Sequence, residues 1–166
     1  RTMGGVDRIY DNCKENARIE DGKMLLQCHR TDDPEHPFTL SEGFTTKYTM
    51  NWKYGYLEMR AKIPFRHGAW PSFWTQTSTV LGGKQCEAYM VEIDVFEIFG
   101  SDNSVVPNMH KWYRAAHDPS THNCSYNGTH TQSGTNKTYN FSNYGNLDNE
   151  YHTYGFEWTP EFMAFY

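Results

Sequence analysis

Three carboxylates fall within six residues of one predicted strand, at Glu92, Asp94 and Glu97. On a regular strand the side chains alternate between two faces, so Glu92 and Asp94 share a face and Glu97 points to the other. That opposite face is apolar, and burying an unpaired carboxylate there is unfavourable. A single β-bulge at Val95–Phe96 removes the conflict, because one extra residue reverses the alternation and brings Glu97 beside the other acids. The spacing therefore predicts a row of three acids on one face of a sheet.

The row suits catalysis better than a structural role. Three neighbouring like charges raise one another's pKa and reduce stability, so a fold has no structural need of them. Two other interpretations are an exposed acidic strand and a metal site, although a calcium site usually draws on loop carbonyls as well. We interpret Glu92, Asp94 and Glu97 as catalytic residues. We expect no metal among the site residues and no required cofactor, and we leave a structural calcium ion open.

Aromatic and polar residues on neighbouring segments could surround this row. Trp70 and Trp74 lie four residues apart, and alternation places Asn108, His110 and Trp112 on one face of another strand. Flat aromatic rings bind the faces of sugars, but each tryptophan could equally pack in a core. We predict that Trp70, Trp74, His110 and Trp112 bind substrate, with at least one tryptophan exposed as a stacking platform.

Strand patterns dominate the elements that must position these residues. From Tyr56 to Ile63 apolar and polar residues alternate strictly, and Pro64 then ends the strand. Asp21–Gly22 separates two apolar runs and predicts a hairpin, and aromatic residues alternate again over 154–158. No segment shows a sustained period of about 3.6 residues, so we predict an antiparallel all-β domain. Residues 118–150 are rich in Asn, Ser, Thr and Gly and predict a long surface loop.

Composition narrows the classes of partner. The chain has 166 residues, which suits one domain with its own core. Its net charge of −5 argues against nucleic acid, because phosphate binding needs a basic surface. No apolar run approaches the roughly 18 residues of a membrane span. We expect a monomer that acts on a neutral substrate and binds neither nucleic acid nor membranes.

Cysteines and glycosylation sequons indicate an extracellular protein. The four cysteines, at Cys13, Cys28, Cys86 and Cys124, fit no zinc or redox spacing and are compatible with two disulfides in any of three pairings or with buried thiols. Four sequons in the polar segment start at Asn123, Asn127, Asn136 and Asn140. This is more than the roughly two that so Asn- and Ser/Thr-rich a segment yields by chance. We predict a secreted glycoprotein.

Several motifs occur together and in order along the chain. Glu92, Asp94 and Glu97 match the bulged signature E-x-D-x-x-E, and residues 53–64 resemble a strand of the form Y-G-x-x-E-A-R-x-K-I-P. Residues 68–74 resemble G-x-W-P-A-F-W, and residues 151–160 resemble F-H-x-Y followed by E-W-T-P. From about Asn16 to its last residue, the chain therefore resembles family 16 of the glycoside hydrolases, and within it the laminarinase-like β-glucanases.

The resemblance implies a fold, a reaction and a set of roles. The fold is a β-jelly roll of two stacked antiparallel sheets, with a substrate cleft across the concave sheet. The reaction is hydrolysis of β-1,3- or mixed β-1,3/1,4-glucan by a retaining endo-glycosidase that works by double displacement. Glu92 is the nucleophile, Glu97 is the general acid/base, and Asp94 orients Glu92. The family's domain usually begins with an earlier strand and continues past W-T-P, so we expect residues 1–166 to be a single catalytic domain, incomplete at both ends.

Three other functions remain open within the same resemblance. One is hydrolysis of a red-algal galactan, although the segment from Trp70 to Trp74 resembles the glucanases more closely. Another is glucan transglycosylation, in which a sugar hydroxyl replaces water. The third is a non-catalytic β-glucan recognition protein, and such proteins lose the catalytic carboxylates that this chain retains.

Overall fold

A computed structural model describes the chain over the following ranges: 9–10, 17–30, 32, 34, 38–40, 46, 50–65, 69–77, 89–99, 104–113, 116–117, 124–125, 130–132, 139–140 and 147–166. The chain divides into two compact units, residues 1–48 and residues 49–166. The expectation of a single domain over 1–166 stays a prediction. The described residues form strands and turns but no helix, and therefore include no helix that could span a membrane.

The first unit contains short strands in two small sheets. Its strands are β1 (Ile9–Tyr10), β2 (Ala17–Glu20), β3 (Lys23–Leu26), β4 (Cys28–Arg30) and β5 (Phe38–Leu40). Strand β5 pairs antiparallel with β4 and parallel with β1, and β2 pairs antiparallel with β3.

The turn between β2 and β3 confirms the predicted hairpin. Asp21 and Gly22 have φ angles of 49° and 70°, so both central residues adopt the left-handed conformation that a two-residue type I′ turn requires. Aspartate tolerates this conformation better than most residues and glycine adopts it freely. The Asp-Gly pair therefore sets the register in which Ala17 lies opposite Leu26.

The second unit contains the longer strands. They are β6 (Gly55–Ala61), β7 (Ser72–Gln76), β8 (Tyr89–Glu97), β9 (Ser104–Tyr113), β10 (Ala116–His117), β11 (Cys124–Ser125), β12 (His130–Gln132), β13 (Tyr139–Asn140), β14 (His152–Trp158) and β15 (Met163–Phe165). One sheet has the order β12-β9-β8-β7, with β13 also pairing with β9, and a second has the order β15-β14-β6. Every strand pair in these two sheets is antiparallel.

A core of apolar side chains joins these two sheets into a sandwich. Strand β6 alternates between exposed and half-buried residues, as the sequence predicts, and its apolar side chains turn inward. Phe96 of β8 and Tyr154 of β14 pack with ring centroids 4.6 Å apart, and Phe156 is fully buried. The inward face of β8 therefore belongs to this core, and its other face is left for polar side chains.

The described residues of the segment 118–150 include strands that its composition does not predict. The segment contains β11, β12 and β13, and the last two extend the sheet by pairing with β9. Leu147 has no exposed surface, and its carbonyl accepts a hydrogen bond from the Ile63 amide at 2.9 Å. The prediction of a long surface loop is therefore wrong for these strands and for Leu147, because pairing with a neighbouring strand stabilises short polar strands that their own residues do not specify.

Candidate active site

Strand β8 contains the predicted β-bulge. It pairs with β9 through Asp94 and Asn108, and the next pair along is Glu97 with Val106. Strand β8 therefore advances three residues where β9 advances two, which places one extra residue in the segment Val95–Phe96. The pairing of β8 with β7 shifts at the same place. The bulge is confirmed at the position that the alternation conflict predicts.

The bulge separates the core residues of β8 from its acids. Val95 and Phe96 are both buried among the apolar side chains of the core. Glu97, the next residue, is also buried, but it is turned to the polar face, where it accepts a hydrogen bond from the Trp70 indole nitrogen at 3.1 Å. The one extra residue therefore allows Val95 and Phe96 to pack in the core while Glu97 lies with the other acids.

His110 of β9 marks the centre of the acidic row. Its Nε2 atom lies 3.2 Å from Asp94 Oδ2 and 3.9 Å from Glu97 Oε2. One carboxylate oxygen of Glu92, one of Asp94 and one ring nitrogen of His110 all lie within 4.8 Å of one another. All three predicted carboxylates therefore share one face of the sheet, and His110 lies among them as expected.

Burial raises the pKa of every acid in the row. The pKa of Glu92 is raised first by burial and then by the charge of Glu97. The pKa of Asp94, which is only 2% exposed, rises to about 8, first through burial and then through the charges of Glu97 and Glu92. Burial also raises the pKa of Glu97, while hydrogen bonds from Trp70 and Asn108 lower it. The row as a group therefore holds its protons to a higher pH than separate carboxyl groups would.

Two tryptophans border the row and present their rings to solvent. Trp70 is 36% exposed, and its ring lies 5.0 Å from that of Phe99. Trp74 is 47% exposed and lies opposite Asp94 in the pairing of β7 with β8. The expectation of at least one exposed tryptophan is met by both residues.

Trp112 joins the cluster through His110. The two rings lie 5.9 Å apart with an angle of 25° between their planes, which is a stacked arrangement. Trp112 is half-buried on β9, opposite Met90 of β8. All four residues predicted to bind substrate therefore lie on the face of the sheet that carries the acids, and their contact with a sugar stays a prediction.

Asn108 is a site residue that the sequence analysis did not select. It is 3% exposed, and its Nδ2 atom lies 2.8 Å from His110 Nε2. It also hydrogen-bonds to the Glu97 carboxylate. The alternation in the sequence places Asn108 on the same face as His110 and could have pointed to it. Alternation does not show, however, that the Asn108 side chain is buried and contacts an acid.

The cluster is a poor site for calcium. Calcium takes about six to eight oxygen ligands, whereas the group here offers two carboxylates and an imidazole nitrogen. That no metal is required stays a prediction, and a structural calcium ion stays an open alternative.

The remaining predicted features lie partly outside the described residues. Cys13, Cys86 and the sequon asparagines Asn123, Asn127 and Asn136 lie outside them. Asn140 lies on β13, Cys124 lies on β11, and Cys28 is exposed on β4. The pairing of the cysteines and the occupancy of the sequons stay predictions.

Comparison with known proteins gives a consistent set of relatives. The model of glycosyl hydrolases family 16 matches residues 8–166. A glucan endo-1,3-β-glucosidase from Cryptopygus antarcticus is 32% identical over 160 residues, which cover 92% of this chain and 52% of that protein. A β-glucanase from Rhodothermus marinus is 27% identical over 148 residues, which cover 89% of this chain and 46% of that protein.

The structural comparison agrees. The laminarinase from Rhodothermus marinus has a TM-score of 0.63 and 22% identity, over 96% of this chain and 57% of that one. This likeness confirms the predicted β-jelly-roll sandwich. The chain spans about half the length of the relatives that it matches.

Proposed function

The chain belongs to family 16 of the glycosyl hydrolases, and from this premise we propose that it hydrolyses β-1,3- or mixed β-1,3/1,4-glucan with retention of anomeric configuration. The observation that carries the proposal is the bulge in β8, which places Glu92, Asp94 and Glu97 on one face. A strand that served only the fold would have no reason to gather three acids in this way. The exposed rings of Trp70 and Trp74 beside the row supply surfaces on which a neutral sugar can stack.

In the first step the Glu92 carboxylate attacks the anomeric carbon. The bond from that carbon to the glycosidic oxygen breaks, and Glu97 gives its proton to the departing oxygen, leaving a glycosyl ester on Glu92. Burial keeps the proton on Glu97 by raising its pKa, and the hydrogen bonds from Trp70 and Asn108 limit that rise. A general acid works best when its pKa lies near the operating pH, and these opposing effects serve that end.

In the second step Glu97 changes from a general acid to a general base. Once Glu92 is a neutral ester it no longer repels a negative charge on Glu97, so Glu97 remains ionised and takes a proton from an incoming water. The water oxygen bonds to the anomeric carbon, the ester bond breaks, and Glu92 leaves as a carboxylate. Two displacements at one carbon give net retention, which requires the two carboxyl groups to lie about 5–5.5 Å apart.

Asp94 lies between the two reacting acids. Its Oδ2 atom lies 3.2 Å from His110 Nε2, and burial raises the pKa of its carboxyl group to about 8. The carboxyl group of Asp94 therefore holds a proton at neutral pH. A neutral Asp94 adds no charge to the row, and one oxygen of Glu92 lies within 4.8 Å of it. We assign Asp94 the role of orienting Glu92 in its ionised form.

The proposal is tested by assaying the full-length polypeptide on laminarin, lichenan, agarose and carrageenan. We expect hydrolysis of laminarin or lichenan, with the β-anomer as the first product detected by NMR. The matched variants Glu92→Gln and Glu97→Gln keep side-chain size and remove one acid each. Transfer products that grow with acceptor concentration would instead indicate a transglycosylase, and turnover of only agarose or carrageenan would indicate a galactan hydrolase.

The proposal extends to the location of the protein. We propose that it is secreted and glycosylated, and the density of sequons around Asn123, Asn127, Asn136 and Asn140 supports this. Intact mass is measured on protein from its native source before and after enzymatic removal of N-glycans. A decrease in mass is expected, and an unchanged mass would leave the sequons as chance matches.

A further inference from the structure

Asn108 lies at the junction between the regular part of β8 and its bulge. It faces Asp94 across the last regular pair before the register shift, and it is 3% exposed. Its Oδ1 atom accepts a hydrogen bond from the Met109 amide at 2.9 Å. The Met109 backbone N–H can donate only to an acceptor, so the Asn108 atom that it meets is the carbonyl oxygen. The other atom of the Asn108 side-chain amide is therefore the NH2 nitrogen.

The NH2 group of Asn108 serves two partners. Its Nδ2 atom lies 2.8 Å from His110 Nε2, and the side chain also hydrogen-bonds to Glu97. Because the NH2 group can only donate, His110 Nε2 must accept and therefore carries no proton. His110 is then neutral, with its proton on Nδ1. An imidazolium ring would place two donors against each other at 2.8 Å.

We propose that Asn108 is a positioning residue that holds the Glu97 carboxyl group and fixes His110 in its neutral Nδ1–H tautomer. This inference rests on the proposed function, because the effect on catalysis runs through Glu97 as the general acid/base. The tautomer also agrees with a protonated Asp94. The Oδ2 atom of Asp94 lies 3.2 Å from a nitrogen that has a lone pair, and an ionised carboxylate there would be repelled.

The proposal predicts a change in pH dependence with a defined sign. Among the described residues, the titratable groups that face Glu97 are Glu92 and Asp94 on the same strand and His110 on β9. Asn108 donates to the ionised form of Glu97 and so lowers its pKa. Removing this donor raises the pKa at which the row loses the proton needed for catalysis. The alkaline limb of the rate profile then moves to higher pH.

The experiment compares Asn108→Leu and Asn108→Asp with Met109→Leu in the full-length polypeptide. Asn108→Leu removes every hydrogen bond of the side chain. Asn108→Asp keeps an acceptor for the Met109 amide and so protects the local backbone. Met109 is the neighbouring residue and packs against the core instead of the site, so Met109→Leu is the matched control. For each variant, kcat/KM on laminarin is measured against pH, and nitrogen NMR of labelled histidine reports the His110 tautomer.

We expect both Asn108 variants to move the alkaline limb upward, by about one pH unit for Asn108→Leu and further for Asn108→Asp, which adds a negative charge. Asn108→Asp should lose the Nδ1–H tautomer, because its carboxylate accepts a hydrogen bond from Nε2, and Met109→Leu should change neither readout. A fall in rate with an unmoved limb and an unchanged tautomer would reduce Asn108 to a structural residue and overturn the proposal. If the native protein hydrolyses no glucan, the proposed function fails, and the tautomer measurement decides this inference by itself.

Discussion

Deleting Val95 tests whether the bulge exists to set the direction of Glu97. In the native strand Glu97 occupies the pairing position that a regular strand would reach with one residue fewer. After the deletion the three acids follow one another at strict intervals of two, so the strand period keeps them on one face. Phe96 then takes the single inward position between the last two acids. Its ring can stay against Tyr154, from which it lies 4.6 Å in the native protein.

The size of the effect follows from the burial of Val95. The side chain is 4% exposed, so its loss removes about 1.5–3 kcal/mol of hydrophobic stabilisation. At roughly 2–4 °C per kcal/mol for a protein of this size, Tm should fall by about 3–12 °C. The backbone distance from Glu92 to Glu97 stays at four strand steps, about 13 Å. Turnover should therefore remain within about a hundredfold of the native rate, allowing for a small displacement of Glu97.

The assay combines thermal unfolding with release of reducing sugar from laminarin. Val95→Ala is the matched control, because it removes most of the same side chain and leaves the bulge in place. Inserting one alanine after Phe96 also gives an even interval between Asp94 and Glu97, but it moves Glu97 two residues, or about 7 Å, further along the strand from the other acids, so this variant should lose turnover. If the deletion variant has the same Tm as Val95→Ala but hydrolyses nothing, the bulge does more than choose the face on which Glu97 lies, and the reasoning is refuted.

Three further predictions address single residues of the site. With Glu97→Ala, added azide should restore turnover and give the β-glycosyl azide, whereas with Glu92→Ala the same anion should give the α-glycosyl azide. NMR of the products distinguishes the two anomers. If the two anomers were exchanged, Glu92 and Glu97 would have to exchange their roles. Burial, more than the neighbouring charges, raises the pKa of Asp94 to about 8. Its contribution to the free energy of unfolding is therefore fully present below the ordinary pKa of aspartate and is lost as the pH rises toward 8. Asp94→Asn should therefore lose less Tm between about pH 5 and about pH 9 than the native protein, and parallel unfolding curves would contradict this. Trp74→Ala should raise KM about threefold to tenfold with little change in Tm, because the ring is 47% exposed, and an unchanged KM would exclude stacking on this ring.

The sequence by itself determined which residues share a face. Side-chain direction follows from a period of two, which is a local property of the chain, so the alternation from Tyr56 to Ile63 predicts the inward face of β6 correctly. The hairpin at Asp21–Gly22 is equally local, because two residues with positive φ are enough to define its turn. The bulge at Val95–Phe96 was predictable for a related reason. Glu97 could not be buried alone in the core, and one extra residue was the smallest change that avoided it.

Only the tertiary structure decided which residues meet across the sheet. The contact from Trp70 to Glu97 joins residues 27 apart in sequence, and Asn108 reaches Glu97 from a neighbouring strand. Leu147 shows the same dependence, because this leucine of a polar segment becomes fully buried through partners that the segment does not contain. Such contacts depend on strand register and on packing between distant segments. The local period of a strand specifies a face, and the neighbour that the face meets is set by the rest of the fold.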